Sequence, residues 1–324
     1  MSKLSVLRLV EQIPDEASAY KFLEDMRWRG TPVCPHCGND EKCYYLTPSN
    51  GVSRKTRTGA ASQRRVWRCG GCRKQFSVLT GTVMHGTKIA VRTWVFVLFE
   101  MAANKNGVSA REIARKYDLC PRSAWFLVHR IREAMMADPV ASPFVGTVVA
   151  DETFIGGKPK NKHQQGRPAR IGGAGGKAHL QPVLSLVNRD TGEIRSRVVP
   201  DVNAATLRKV IADQVHMSAS HLHTDAGTQY RAMGKEFASH QWVDHSHYEY
   251  VRGDVTTNQA ENFFSQLKRS LDGTHHHVSR VHLHRYLAEF DLRYSTRKMT
   301  DSERTALIVQ RCGGRRLTYR AVVQ

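Results

Sequence analysis

The sequence has no run of 18 apolar residues, which excludes a membrane-spanning helix. Its first residues, MSKLSVLRLVEQIPDE, reach acids too soon for the apolar core of a secretory leader, so a cytoplasmic protein is expected. Acidic residues are scarce: 29 Asp and Glu stand against 49 Lys and Arg, a formal charge of +20. Such an excess opposes compaction and answers a polyanion. Nucleic acid comes first among these, because each neutralised phosphate releases counterions. An even cysteine count is missing too. Of 7 cysteines, four form two CxxC pairs, which in a chain without a leader reads as metal ligation and not as a disulfide framework. There is no internal repeat, and the composition (40% hydrophobic, 24% charged) is ordinary for one large or two to three small globular domains.

Along the chain, Leu4, Leu7, Val10 and Ile13 recur at helical spacing until Pro14, and a second short helix is expected over 17–26. Cys34 and Cys37 then flank Pro-His, Cys69 and Cys72 flank Gly-Gly, and 31 residues lie between the pairs. Each pair sets two thiolates on one tight knuckle, and two knuckles complete a tetrahedral sulfur site that favours zinc. Four thiolates leave no open position for a reacting water, so this zinc is structural. Cys43, Cys120 and Cys312 lack a partner spacing and read as plain thiols. The Ser/Thr/Arg/Gly-rich segment 49–65 reads as an exposed loop.

Residues 107–135 carry two helical stripes around a turn at 118–121, with Ser109 as N-cap and Glu112 completing a capping box. Ile113, Ala114 and Tyr117 would face Ala124, Leu127, Val128 and Ile131. This is a helix-turn-helix pattern, and Arg122, Arg130 and Arg132 would lie on its DNA-reading helix together with Ser123 and His129. An ordinary packed helical hairpin is the alternative. DPVASPF, with Pro139 and Pro143, is the clearest linker. Beyond it the period changes: 147–151, 180–187, 194–200 and 220–225 read as strands, and 203–216, 257–271 and 281–297 as helices. This succession of strands and helices is that of an α/β domain with its site at the strand ends.

Acids sit at those ends. Asp151 closes one strand in VVADETFIGG, Asp225 another in HLHTDAGTQY, and Glu261 opens a helix in TTNQAENFFSQLKRSL. Lys268 follows Glu261 by seven residues, nearly two helical turns, so both project from one face about 10 Å apart. Converging carboxylates can hold two hard divalent cations and clamp a phosphodiester for in-line displacement, with the lysine on a neighbouring phosphate. Glu152 points to the opposite face of its strand and reads as structural. His275, His276 and His277 read as a packing or phosphate-contacting loop, with metal ligation as the alternative, and His221 and His223 as packed or hydrogen-bonded. The segment 156–177, with six Lys or Arg and no acid, is either a solvated loop or a DNA-backbone contact.

In these motifs the chain resembles zinc-ribbon insertion-sequence transposases of the DDE superfamily (insertion-sequence family 1595, the ISXO-like group). The resemblance runs through FLEDMRWRGTPVCPHCG, WRCGGCRKQFSVLTGTVM, VVADETFIGGK, HTDAGTQY and NQAENFFSQLKRSLDGTHHHVSRVHLHRYLAEFDLRYSTRK to the tail RRLTYR. It implies an RNase H-like, integrase-type α/β core in which Asp151, Asp225 and Glu261 bind two Mg2+ or Mn2+ ions for strand cleavage and transfer, with Lys268 as the accompanying base. Some branches use Asn as third ligand, and Asn258 stands one turn before Glu261; the step to Lys268 favours Glu261. The domains expected are helices and zinc ribbon (1–86), helix-turn-helix (87–138), catalytic core (144–300) and C-terminal tail (301–324). The partners expected are double-stranded DNA, as terminal repeats and target, and further copies of the chain on that DNA, with no membrane. The implied setting is the prokaryotic cytoplasm, on the nucleoid. An RNase H-like nuclease without strand transfer and a non-catalytic zinc-ribbon regulator are the rival readings.

Overall fold

Ser5 Oγ accepts from the Arg8 N–H at 3.3 Å and Asp15 Oδ1 from the Ser18 N–H at 2.8 Å. These caps start α1 (Val6–Gln12) and α2 (Glu16–Trp28) on either side of Pro14. The computed structural model describes residues 4–47, 55, 61–137, 142–156, 180–249 and 251–318. In it α1 is too short to carry the expected four-residue apolar face. Leu4, Leu9 and Ile13 are buried, whereas Leu7 and Val10 are exposed.

The ribbon is a three-stranded antiparallel sheet of β1 (Cys43–Tyr45), β2 (Trp67–Cys69) and β3 (Gln75–Phe76). Buried Glu24 of α2 accepts from Trp67 Nε1 at 2.8 Å and from Arg65 Nε at 2.7 Å, and Trp28 meets Trp67 edge-on at 5.7 Å. Helix and ribbon therefore share one small core. Most of the loop expected over 49–65 lies outside the described residues. Helix α3 (Val91–Ala103) is apolar on most of its circumference and central to its unit. Ala90 offers no side-chain cap, and Glu16 supplies it from α2, accepting the Val91 and Arg92 N–H groups at 2.6 and 3.0 Å.

Helices α4 (Ala110–Lys116) and α5 (Pro121–Met135) pack against each other across a turn in which Asp118 takes φ +49°. Ser109 caps α4 as expected, but Glu112 pairs with Lys116 at 2.7 Å and does not close the box. The Tyr117 hydroxyl donates to Glu100 Oε1 at 2.8 Å.

The second unit is built on β4 (Phe144–Ile155), β5 (Gln181–Asn188), β6 (Ile194–Val198), β7 (Val215–Asp225) and β8 (Ser239–Val243). Their spatial order is β6-β5-β4-β7-β8, antiparallel from β6 to β4 and parallel from β4 to β8. That order and orientation is the RNase H-like sheet. Helix α6 (Ala204–Ala212), capped by Asn203, covers one face; it stops short of the expected residue 216 because the chain from Val215 is taken into pairing with β4. Short α7 (Arg231–Gly234) precedes β8, and a hairpin of β9 (Val251–Arg252) and β10 (Val255–Thr256) follows it. Helices α8 (Asn258–Ser270) and α9 (Leu283–Ser295) cover the other face. Strand alternation divides the core: Val149, Val183 and Val187 pack under α8 and α9, and Val148, Ala150, Leu184 and Leu186 under α6.

The last segment is not a tail. Thr300 and Glu303 form a capping box that starts α10 (Asp301–Gln310), which packs on α2, α3 and α5. Ser302 Oγ accepts the Leu4 N–H at 2.6 Å, Arg304 donates to the Ala102 carbonyl at 2.8 Å, and Gly313 bridges antiparallel to Thr82. The chain divides into two compact units, Met1–Met135 with Met299–Gln324, and Met136–Lys298. The expected division is redrawn accordingly: ribbon, helix pair and C-terminal segment share a single unit because each buries residues against the others. The boundary at Met136 falls at the expected linker, of which 138–141 lie outside the described residues. Among the described residues no helix is long and apolar enough to cross a membrane.

Candidate metal centre and active site

The four paired cysteines meet. Their sulfurs all lie within 4.8 Å of one another, with Cys34–Cys72 and Cys37–Cys69 both at 3.6 Å. A tetrahedron of thiolates around zinc places sulfurs about 3.8 Å apart, so this donor set fits zinc in spacing and in softness. Cys69 Sγ receives the Cys72 N–H at 3.5 Å, and that bond leads the effects that bring its thiol down to about 6, favouring the thiolate. Cys43 lies opposite Cys69 across β1 and β2, outside the group of four, and its thiol is raised by burial.

At the other candidate site, β4 and β7 run in parallel with Val149 opposite His223. Two residues further along each strand stand Asp151 and Asp225, by alternation on the face covered by α8 and α9, and near enough for Asp225 to raise Asp151. Burial pushes Asp151 up to about 7, and the charges of Glu152, Asp225 and Glu261 add to it, against the stabilising Glu152 N–H at 2.8 Å. Asp225 Oδ1 accepts the Gly227 N–H at 3.0 Å. A Cβ on Gly227 would come within 2.5 Å of Gln229 Nε2 and 2.8 Å of Asp225 Oδ1, which explains the glycine of DAG. Glu261 projects from the first turn of α8 and is exposed. Its Oε1 lies 3.2 Å from both Thr257 Oγ1 and His245 Nε2, and those two atoms lie 2.9 Å apart.

Other expected residues sort by burial. Asn258 and Lys268 are exposed on α8, at the helix start and two turns beyond Glu261. Arg122 is exposed at the start of α5. Arg130 and Arg132 are buried, and their expected role on a DNA-reading face is corrected. Arg130 donates to the His85 carbonyl at 2.7 Å and lies against the Trp94 and Phe126 rings. The α5 stripe at that point turns into the unit's own core. Glu152 sits on the α6 side, its carboxyl raised by burial and by the charge of Asp225. His275 stacks edge-on to Tyr286 at 4.8 Å, His221 bonds Ser239 Oγ at 2.8 Å, and burial lowers the His223 pKa. From residue 157 the basic segment 156–177 lies outside the described residues. Sequence reasoning missed His245 and Thr257: Thr257 stands one helical turn before Glu261 inside the motif but was given no role, and His245 belongs to no motif and reaches Glu261 only through the fold.

Residues 143–295 match the ISXO2-like transposase domain, and residues 14–75 the transposase zinc-ribbon domain. The uncharacterized protein in transposable element ISH50 of Halobacterium salinarum is 27% identical over 293 residues, 88% of this chain and 92% of that protein. The catalytic core domain of BIV integrase is 14% identical with a TM-score of 0.30 over 45% of this chain and 82% of its own. That likeness is too slight to bear on the fold, which the strand order carries by itself. The chain belongs to the zinc-ribbon, ISXO2-like transposase family of insertion sequences.

Proposed function

We infer that the protein cuts double-stranded DNA at the terminal repeats of its element and joins the freed 3′-hydroxyl to target DNA, with Asp151, Asp225 and Glu261 as the catalytic carboxylates. One observation carries this reading: Asp151 and Asp225 each stand two residues beyond the paired Val149 and His223 on parallel strands, with Asp225 and Glu261 near enough to raise Asp151. Gathering negative charge at a half-buried strand end is costly unless cations join it. The donors are hard oxygens, which suit Mg2+ or Mn2+. When bound, two such ions would activate the attacking oxygen and stabilise the leaving one. The chain's own part is to hold the two aspartates at one level of the sheet and to bring Glu261 over them from α8. Lys268, two turns along that helix, reaches for a neighbouring phosphate as a point charge. Cleavage and joining are both phosphoryl transfers, so one set of residues serves both without a covalent protein–DNA intermediate.

In this reading the zinc is structural, and the exposed start of α5, with Arg122, meets the terminal repeat in a helix-turn-helix manner. The protein works on the nucleoid as an assembly of several copies, since two element ends must be handled together. The test is incubation with the element's own ends, Mg2+ and a target plasmid, followed by sequencing of the products. Joined ends are expected. Cleaved ends that never join would make the protein a nuclease and reject strand transfer.

A further inference from the structure

Threonine at a helix start usually accepts a backbone N–H two or three residues on. Thr257, fully buried at the start of α8, does not cap its helix in that way. Its hydroxyl donates to Glu261 Oε1 at 3.2 Å, and its oxygen lies 2.9 Å from His245 Nε2, which is itself 3.2 Å from the same carboxylate oxygen. The three atoms form a triangle. With the threonine proton committed to Glu261, the proton on His245 Nε2 is shared between the hydroxyl and the carboxylate; this tautomer is the one the network requires.

The place from which His245 arrives matters. Strand β8 runs beside β7 with Val243 opposite Asp225, and His245 lies two residues beyond Val243. The loop that carries it is braced by Asp244 to His247 at 2.7 Å and by Arg252 to Glu249. The triangle therefore ties an acid on a helix to the level of the sheet at which Asp225 and Asp151 stand. Glu261 is half-exposed, its side chain 46% accessible, and a glutamate so placed would otherwise sample several rotamers.

The geometry points to His245 and Thr257 as positioning residues that hold Glu261 by Oε1 and turn its other oxygen toward a divalent cation. This rests on the reading of Asp151, Asp225 and Glu261 as the cation-holding set. Partners of this kind, which orient a ligand without touching the metal, are each worth roughly 10- to 100-fold in metal affinity.

The test uses the full-length protein and Mn2+ without DNA, with free Mn2+ read by electron paramagnetic resonance, and circular dichroism and zinc content as folding controls. Thr257→Val, which keeps the buried volume, and His245→Ala should each weaken Mn2+ binding at least tenfold. Thr257→Ser and His245→Gln, which restore a hydroxyl and an N–H near the same points, should recover most of it. In cleavage assays the two disabling variants should need more Mg2+ for half-maximal rate yet approach the wild-type rate at saturation. Unchanged Mn2+ affinity in folded His245→Ala and Thr257→Val would overturn the proposal. Glu261→Gln separates the two levels: if it weakens Mn2+ binding and His245→Ala does not, only the positioning role falls. If Glu261→Gln leaves Mn2+ binding intact, the cation-holding set itself is wrong.

Discussion

Asp291 of α9 is partly buried in the second unit, where its carboxylate accepts the Ser196 N–H and hydroxyl, both at 2.7 Å. Burial outweighs those bonds and pushes its pKa up to about 7. An unfolded aspartate titrates near 4, so between these values the folded state binds the proton and the unfolded state does not. Stability from this group is therefore full below about pH 4 and is lost as pH rises through 7, an effect on the order of 4 kcal/mol. Asp291→Asn should flatten that dependence; urea midpoints at pH 5 and pH 8 should differ less in the variant than in the wild type, and equal differences would refute the assignment. At the candidate site, Asp151→Asn and Asp225→Asn should each abolish cleavage of terminal-repeat DNA while retaining its binding. A gel-shift and cleavage assay on the same DNA checks both, and near wild-type cleavage by either variant would remove that residue from the set. These acids were legible because strand ends and a seven-residue helical step are local patterns. His245 was not: it lies 16 residues from Glu261 in sequence, and a solitary histidine carries no period.

Helix α5 shows how far a periodic pattern reads. The stripe that buries Ala124, Leu127, Val128 and Ile131 was visible, and so was the Ser109 cap before α4. The far side of α5 was not, because its neighbours come from remote parts of the chain. Arg130 reaches the carbonyl of His85, 45 residues back. Arg122→Ala should weaken binding to terminal-repeat DNA about tenfold with little change in melting temperature, as loss of an exposed DNA contact does. Arg130→Ala should do the reverse, costing about 2 kcal/mol of stability through a lost hydrogen bond and ring contacts. Fluorescence anisotropy and thermal unfolding of both variants decide this, and a fall in affinity confined to Arg130→Ala would return that residue to the DNA face.

At the scale of the whole molecule, the α/β class and the ribbon followed from strand runs and cysteine spacing, and the RNase H-like sheet only from the family resemblance. The return of the chain did not. Nothing local in residues 301–310 announces that their partners are α2 and α3, some 200 to 280 residues earlier. Burial of Ile308 and Val309 alone contributes roughly 3–6 kcal/mol, a large part of what holds a domain folded. A chain ending at Lys298 should therefore keep the second unit's fold but lose cooperative melting of the first, and limited proteolysis should cut it between residues 1 and 135. A protease-resistant first unit in that truncation would show α10 to be dispensable. The same return path orders events during translation. The ribbon and its helices leave the ribosome first, yet they wait for the last helix, which cannot arrive until the whole second unit has been made. A nascent chain thus has its second unit before its first is complete, and a prematurely terminated product carrying the ribbon lacks the piece that finishes it.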